Sequence, residues 1–275
     1  MRTWNLVETG ARHAPPLLFV HGFPIDHTMW LDAAVRLGER ARCLMPDLRG
    51  HGRSPLTPPA APAETSHPPT IATYADDLAT VLDEADEHRP VVVVGLSMGG
   101  IIAFEFFRRH RARIAGLVLC DTRIEPEHPE GARRRHELAD LALREGTHAL
   151  VDTMLPRLFA PSMPPERVAH WRAVMSATPR EGAAAASRAL ASRPDSRPTL
   201  AHIDLPTLVC WGDRDEVTPL DIGLEIHRGV RASSLAVIPR AAHVPPIEQP
   251  DAFAAALRAW LDSTAPSGTP APIHR

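Results

Sequence analysis

The chain has no lysine. All 30 of its basic residues are arginine, set against 33 acidic residues in a total of 275. That excludes Schiff-base chemistry, a Ser-Lys dyad and a P-loop, each of which needs a lysine amine. Cysteine is scarce too. Cys43, Cys120 and Cys210 each lie in or beside an apolar run and read as buried free thiols rather than a disulfide framework or a thiolate metal site. Fifteen histidines are present, but none form a His-x-x-x-His or comparable cluster, so no metal is expected. No apolar run approaches the length of a membrane span. The segment Met-Arg-Thr-Trp-Asn-Leu-Val-Glu at the start has no apolar stretch of the secretory kind. The expectation is a cytoplasmic protein with no membrane partner. A net charge of −3, with arginines scattered among acids, gives no nucleic-acid surface. The Arg, Ala and Pro bias fits a GC-rich bacterial genome. Nothing in the sequence sets the oligomeric state.

What is present centres on residues 91–100, Val-Val-Val-Val-Gly-Leu-Ser-Met-Gly-Gly. Val91 to Val94 read as a fully buried strand, and Ile101, Ile102, Phe104, Phe106 and Phe107 as a buried helix. Between them Gly95-Leu96-Ser97-Met98-Gly99 forms the Gly-x-Ser-x-Gly pattern of a nucleophile elbow, in the strand–turn–helix setting it requires. A strand turning sharply into a helix holds its corner residue, Ser97, in a strained conformation. The helix passes so close to the strand that positions 95 and 99 cannot carry bulk. The Ser97 hydroxyl is thereby lifted to a helix N-terminus, where orphan amides favour developing negative charge.

Strands are expected over residues 3–8, 16–20, 41–46, 114–120, 206–211 and 235–238. Strands alternating with helices imply a mostly parallel, doubly wound α/β sheet. His21-Gly22-Phe23-Pro24 follows the second strand, and there the Phe23 amide has no ladder partner. Asp47 to Ser54 reads as a structured loop with an Asp47–Arg49 contact, and Asp47 or His51 as a catalytic group is the minor alternative. Residues 55–70 are Pro-rich and read as a flexible surface loop. Thr73 with Asp76 reads as a helix-start capping pair. From 122 to about 204 the strands stop. Helices are expected near 129–145, 147–158, 164–177 and 180–192, with Met154, Leu158, Trp171 and Met175 among their apolar residues. The chain therefore divides into a core of 1–121 and 204–262, an inserted helical cap of 122–203, and a disordered tail of 263–275.

The ordered set of His21-Gly22-Phe23-Pro24, Asp47 to Ser54, Gly95 to Gly100, Trp211-Gly212-Asp213-Arg214-Asp215 with Pro219, and His243 with Glu248-Gln249-Pro250 resembles the α/β-hydrolase superfamily. The nearest subgroup resembled is the capped esterase, enol-lactonase and perhydrolase cluster. One departure is that a single strand precedes residue 16, where the usual pattern has a hairpin of two. The resemblance implies a triad in the chain order Ser, acid, His: Ser97 as nucleophile, Asp215 as acid and His243 as base. Asp213 and Asp121 compete for the acid position. It implies oxyanion donors at the amides of Phe23 and Met98, and no metal or organic cofactor. The implied function is hydrolysis of a small-to-medium carboxylic ester or lactone. The alternatives are C–C bond hydrolysis, perhydrolysis, or a non-catalytic ligand-binding scaffold. Haloalkane dehalogenases and epoxide hydrolases of this fold carry Asp where this chain has Ser97, and the elbow lacks the Trp of the prolyl aminopeptidases. The mostly apolar cap favours a hydrophobic acyl or alkyl group, and 5% aromatic content gives little for a stacked aromatic substrate.

Overall fold

The computed structural model describes residues 2–58 and 68–264. Seven strands form one sheet: β1 (Leu6–Thr9), β2 (Pro16–Val20), β3 (Arg42–Pro46), β4 (Val91–Leu96), β5 (Ile114–Cys120), β6 (Thr207–Gly212) and β7 (Ser233–Ile238). Their order across the sheet is β1-β3-β2-β4-β5-β6-β7. Only β1 is antiparallel, running against β3 at the edge. Every other neighbouring pair is parallel. Strands covered on both faces need apolar residues at every position rather than alternate ones. Accordingly β2, β3 and β6 are buried throughout.

The helices before β5 are α1 (Leu31–Leu37), α2 (Ile71–Glu84) and α3 (Met98–His110). Helix α3 follows β4 directly. Met98 to Phe104, Phe106 and Phe107 are all buried, as the all-round apolar pattern predicts. The α2 cap differs from the expected Thr73–Asp76 pair. Thr70 and Thr73 cap each other reciprocally, at 3.3 Å and 3.1 Å from backbone nitrogen to hydroxyl. The reason is that the helix starts at Ile71, which is buried. Asp76 turns outward to Arg109 and His110 on α3.

Between β5 and β6 come α4 (Pro129–Glu145), α5 (Thr147–Met154), α6 (Pro165–Ser176), α7 (Arg180–Ala191) and the single turn α8 (Arg197–Leu200). After β6 come α9 (Leu220–Gly229), then α10 (Pro245–Glu248) and α11 (Pro250–Thr264) beyond β7. The α4–α8 segment packs on the loops at the C-terminal ends of the strands. Thr178 Oγ1 donates to the Pro24 carbonyl at 2.9 Å. The His243 amide donates to the Leu158 carbonyl at 3.2 Å. Gly182 of α7 sits so close to Gly50 that a Cβ there would lie 1.8 Å from the Gly50 oxygen. Helix α11 extends to Thr264, two residues into the expected tail. The remainder of that tail, and positions 59–67 of the Pro-rich loop, lie outside the described residues.

Strand order reverses between β2 and β4, since the chain leaves β2 toward β3 and returns to β4. Open α/β sheets bind ligands in the crevice above such a switch point. Phe23 follows β2 and Ser97 follows β4, so the topology opens this crevice between them.

Candidate active site

Ser97 is the corner between β4 and α3, with φ 54° and ψ −112°. This is a left-handed φ that a non-glycine residue adopts only when its surroundings impose it. Three hydrogen bonds do so at the corner. The Ser97 amide donates to the Cys120 carbonyl at 2.9 Å, and the Ser97 carbonyl accepts from the Gly100 amide at 3.0 Å. Thr122 Oγ1 also donates to that carbonyl, at 2.6 Å. The glycines permit the approach. A Cβ on Gly95 would meet the Gly99 oxygen at 2.5 Å, and one on Gly99 the Val20 oxygen at 2.0 Å.

His243 lies on the loop between β7 and α10. Its Nε2 is 2.9 Å from Ser97 Oγ, and its Nδ1 is 2.9 Å from Asp215 Oδ2. An ionised carboxylate only accepts, so its partner assigns the proton to Nδ1 and leaves Nε2 to accept from the serine hydroxyl. Asp215, on the loop after β6, is buried and held from four directions. The Val217 and Thr218 amides donate to Oδ1 at 2.7 and 3.0 Å. The Thr218 hydroxyl and His243 donate to Oδ2. Burial acts to raise the Asp215 pKa. It is outweighed by the attraction of His243 and these hydrogen bonds, and the carboxyl is held below its ordinary value.

Asp121 is the buried carboxyl one strand over, at the end of β5. Its Oδ1 accepts from the Gly212 amide at 2.9 Å, while Oδ2 has no partner among the described residues. Burial first, and the neighbouring Asp215 charge second, push its pKa well above the usual carboxylate range. It bonds the β6 backbone and not His243. Asp213 is exposed and does not reach His243 either; its nearest ionic partner is Arg214 at 4.0 Å.

The amides of Phe23 and Met98 have no protein acceptor among the described residues, and both residues line the same cavity as Ser97 and His243. This cavity has a volume of about 70 Å³. Its other walls are Ile101, Met154, Leu158, Leu190, Val217 and Thr218, together with two arginines, Arg123 and Arg135. A wider hollow of about 450 Å³ lies outside it, between Pro156–Pro161 and Asp213–Glu216, and Ser97 does not line it.

The segment Asp47 to Ser54 is held by hydrogen bonds and ion pairs to its surroundings. The expected Asp47–Arg49 contact is absent: Arg49 pairs with Asp77 of α2 at 2.6 Å. Asp47 instead accepts from the His27 ring and amide, the Arg53 amide and Asn5. These donors occupy the oxygens through which Asp47, with His27 and Asp26, could otherwise approach a metal ion. His51 is buried against the rings of His21 and Phe23. Burial and the His21 charge bring its pKa down to about 3. Neither Asp47 nor His51 lines the Ser97 cavity.

Glu248 closes the architecture around His243. Its carboxylate accepts from the amides of Ala242 at 2.9 Å, Val244 at 3.1 Å and Ala160 at 2.7 Å. One buried group thus ties the His243 loop to the helical segment above it. Sequence reading singled out neither Thr122, Thr218, Arg123 nor Arg135. The Asp-x-x-Thr spacing of 215 and 218 is a turn signal by which Thr218 could have been found. The arginines had no local signal.

The family model described as the alpha/beta hydrolase family matches residues 17–256. Among solved structures, an esterase from Thermogutta terrifontis with malate bound is 39% identical, with a TM-score of 0.88, covering 94% of this chain and 93% of its own. The enol-lactonase of Burkholderia xenovorans is 31% identical with a TM-score of 0.83, covering 94% of this chain and 96% of its own. The 3-oxoadipate enol-lactonase 1 of Acinetobacter baylyi is 27% identical over 256 residues, 92% of this chain and 90% of that protein. No described helix is long and apolar enough to cross a membrane. By its sheet order, its elbow and this near-complete match, the chain belongs to the alpha/beta hydrolase family.

Proposed function

We propose that this chain is a serine hydrolase acting on a small carboxylic ester or lactone, with residues 122–203 as a cap over a core of 1–121 and 204–262. The observation that carries the reading is the unbroken hydrogen-bonded line from Asp215 through His243 to a strained, cavity-facing Ser97 hydroxyl. The esterase and the enol-lactonases among its relatives support the substrate class.

In this reading Ser97 Oγ attacks the substrate carbonyl carbon as its proton passes to His243 Nε2. A new Oγ–C bond forms, and the carbonyl π pair moves onto oxygen. The free amides of Phe23 and Met98 receive that oxyanion. Removing one such donor typically costs about 10²–10³ in rate. The intermediate collapses, the C–O bond to the leaving group breaks, and His243 returns its proton to the departing oxygen. Water then attacks the acyl-enzyme, giving one proton to His243. The Ser97–acyl bond breaks, and Ser97 recovers its proton as the acid is released. Asp215 stays ionised throughout, fixing the His243 tautomer and stabilising the imidazolium. None of these steps calls for a metal or an organic cofactor. The small cavity, about 70 Å³, favours a short acyl group over a long one.

The test is hydrolysis of p-nitrophenyl esters from acetate to decanoate, with a simple lactone, by wild type and Ser97→Ala. Turnover that is greatest on short chains and lost by several orders of magnitude in the variant supports the proposal. Absence of turnover together with absence of fluorophosphonate labelling at Ser97 refutes it.

A further inference from the structure

The cavity that Ser97 faces is apolar over most of its wall, but two arginines interrupt it. Arg123, on the loop after β5, and Arg135, on α4, both line it beside Phe23, Met98 and His243. Counter-charge there is short. Glu127, with its side chain only 9% exposed, bonds Arg135 Nε and is shared with Arg193, whose side chain is 4% exposed. Arg123 has no carboxylate within ion-pair distance among the described residues. Its Nη2 donates to the neutral Val217 carbonyl, which leaves its other N–H groups free. Glu125, on the same loop, makes no ion pair among the described residues; its backbone carbonyl accepts from Arg193. Asp215 is engaged by His243, and Asp121, its carboxyl pushed well above the usual range by burial, bonds the Gly212 amide.

Glu127 therefore serves two guanidinium groups, Arg135 and Arg193, and Arg123 has no share of it. Burial pulls Arg135 below its usual range. The Glu127 bond opposes this, and the charges of Arg193 and Arg123 add to it. A cation without a partner in a largely apolar pocket is costly until an anion meets it. A guanidinium fork matches the two oxygens of a carboxylate.

We infer that the substrate carries a carboxylate besides its scissile carbonyl, and that Arg123, with Arg135 as the second cation, binds it. The substrate class is then a half-ester of a dicarboxylic acid, or a lactone bearing a free carboxylate. This rests on the serine-hydrolase reading above and narrows it.

The experiment compares monomethyl esters of succinic, glutaric and adipic acids with the matching neutral dimethyl esters, in wild type, Arg123→Gln and Arg123→Lys. The quantity read is the ratio of kcat/KM for half-ester over diester. Both values come from the same preparation, so a loss of folded protein cancels. Wild type is expected to favour at least one half-ester about tenfold or more, the scale of one charge-assisted hydrogen bond. Arg123→Gln is expected to erase that ratio mainly through KM, and Arg123→Lys to restore part of it. If wild type hydrolyses the diesters as well as or better than every half-ester, or if Arg123→Gln keeps the wild-type ratio, the inference is overturned while the hydrolase reading stands. If neither ester class is hydrolysed and a fluorophosphonate does not label Ser97, both fall together.

Discussion

The Thr122 hydroxyl donates to the carbonyl of Ser97 at 2.6 Å, from the strand end next to the elbow. Gly100 makes room for it, because a Cβ at that position would come within 2.5 Å of Thr122 Oγ1. Thr122 thus helps to hold the unfavourable φ of Ser97 from outside the elbow. Thr122→Val keeps the shape and removes the donor. We expect it to cost about 1 kcal/mol of stability, or about 2–4 °C in Tm for a chain of this size. Ester turnover should fall with it as the serine loses its fixed aim. Thermal unfolding and kcat on a short p-nitrophenyl ester check both expectations; unchanged kcat would show that the remaining bonds hold the corner unaided.

Asp121 and Asp215 are both buried at the ends of neighbouring strands, and their charge states are driven apart. Exchanging the two carboxyls for amides should therefore have unequal effects. Asp215→Asn is expected to fold and to lose most of its activity, through a wrongly held His243; the comparable change in a serine-protease triad costs about 10⁴-fold. Asp121→Asn keeps an oxygen for the Gly212 amide, and Asp121 makes no bond to His243, so most activity should remain. Parallel kinetics on the two variants decide the matter. A near-wild-type Asp215→Asn beside an inactive Asp121→Asn would reverse the acid assignment.

Helix α7 meets the loop after β3 through two glycines, with no space for a methyl on Gly182. Its buried face is built of Gly182, Ala183, Ala184, Ala186 and Ala189, small enough for the helix to lie close. Gly182→Ala should cost about 1–3 kcal/mol through overpacking, although alanine is the better helix former. Because α4 packs against α7, and α4 carries Arg135, the strain should also raise KM. Urea unfolding with steady-state kinetics measures the two effects.

Acid should unfold this protein over a definable window. Glu87, bonded to Arg89 and Arg42, is held near a pKa of about 2 despite its burial. Glu127 also sits near about 2; there, the bonds and charges of Arg193 and Arg135 outweigh burial. Both titrate near 4.5 when unperturbed. The folded values are depressed, so as pH falls the unfolded chain takes up protons first. The stabilisation is complete above about pH 4.5 and is lost progressively toward pH 2. Urea midpoints from pH 6 to pH 3 should fall steeply below pH 4.5. Glu127→Gln should flatten part of that slope.

Local physics determined a good deal of this protein. A run of four β-branched valines favours a buried strand, and an apolar helix behind Gly-x-Ser-x-Gly forces a sharp corner. The spacing of Ser97 to its glycines is thus readable without a fold. The helices from 129 to 192 were equally legible, because prolines and helical apolar spacing set their limits within a few residues. Contacts between distant segments were not legible. Arg49 had Asp47 two residues away, yet it pairs with Asp77 on α2, since Asp47 already satisfies donors from two other segments and from Arg53 of its own loop. Asp121 and Asp215 each follow a strand, and only the tertiary structure shows which one His243 faces. Arg123 and Arg135 looked like two of many surface arginines until the helical segment folded over the sheet and enclosed them beside Ser97. Backbone conformation depends on neighbours a few residues away, and sequence displays those. Charge pairing and pocket lining depend on which distant groups burial brings together, and the packed chain alone decides that.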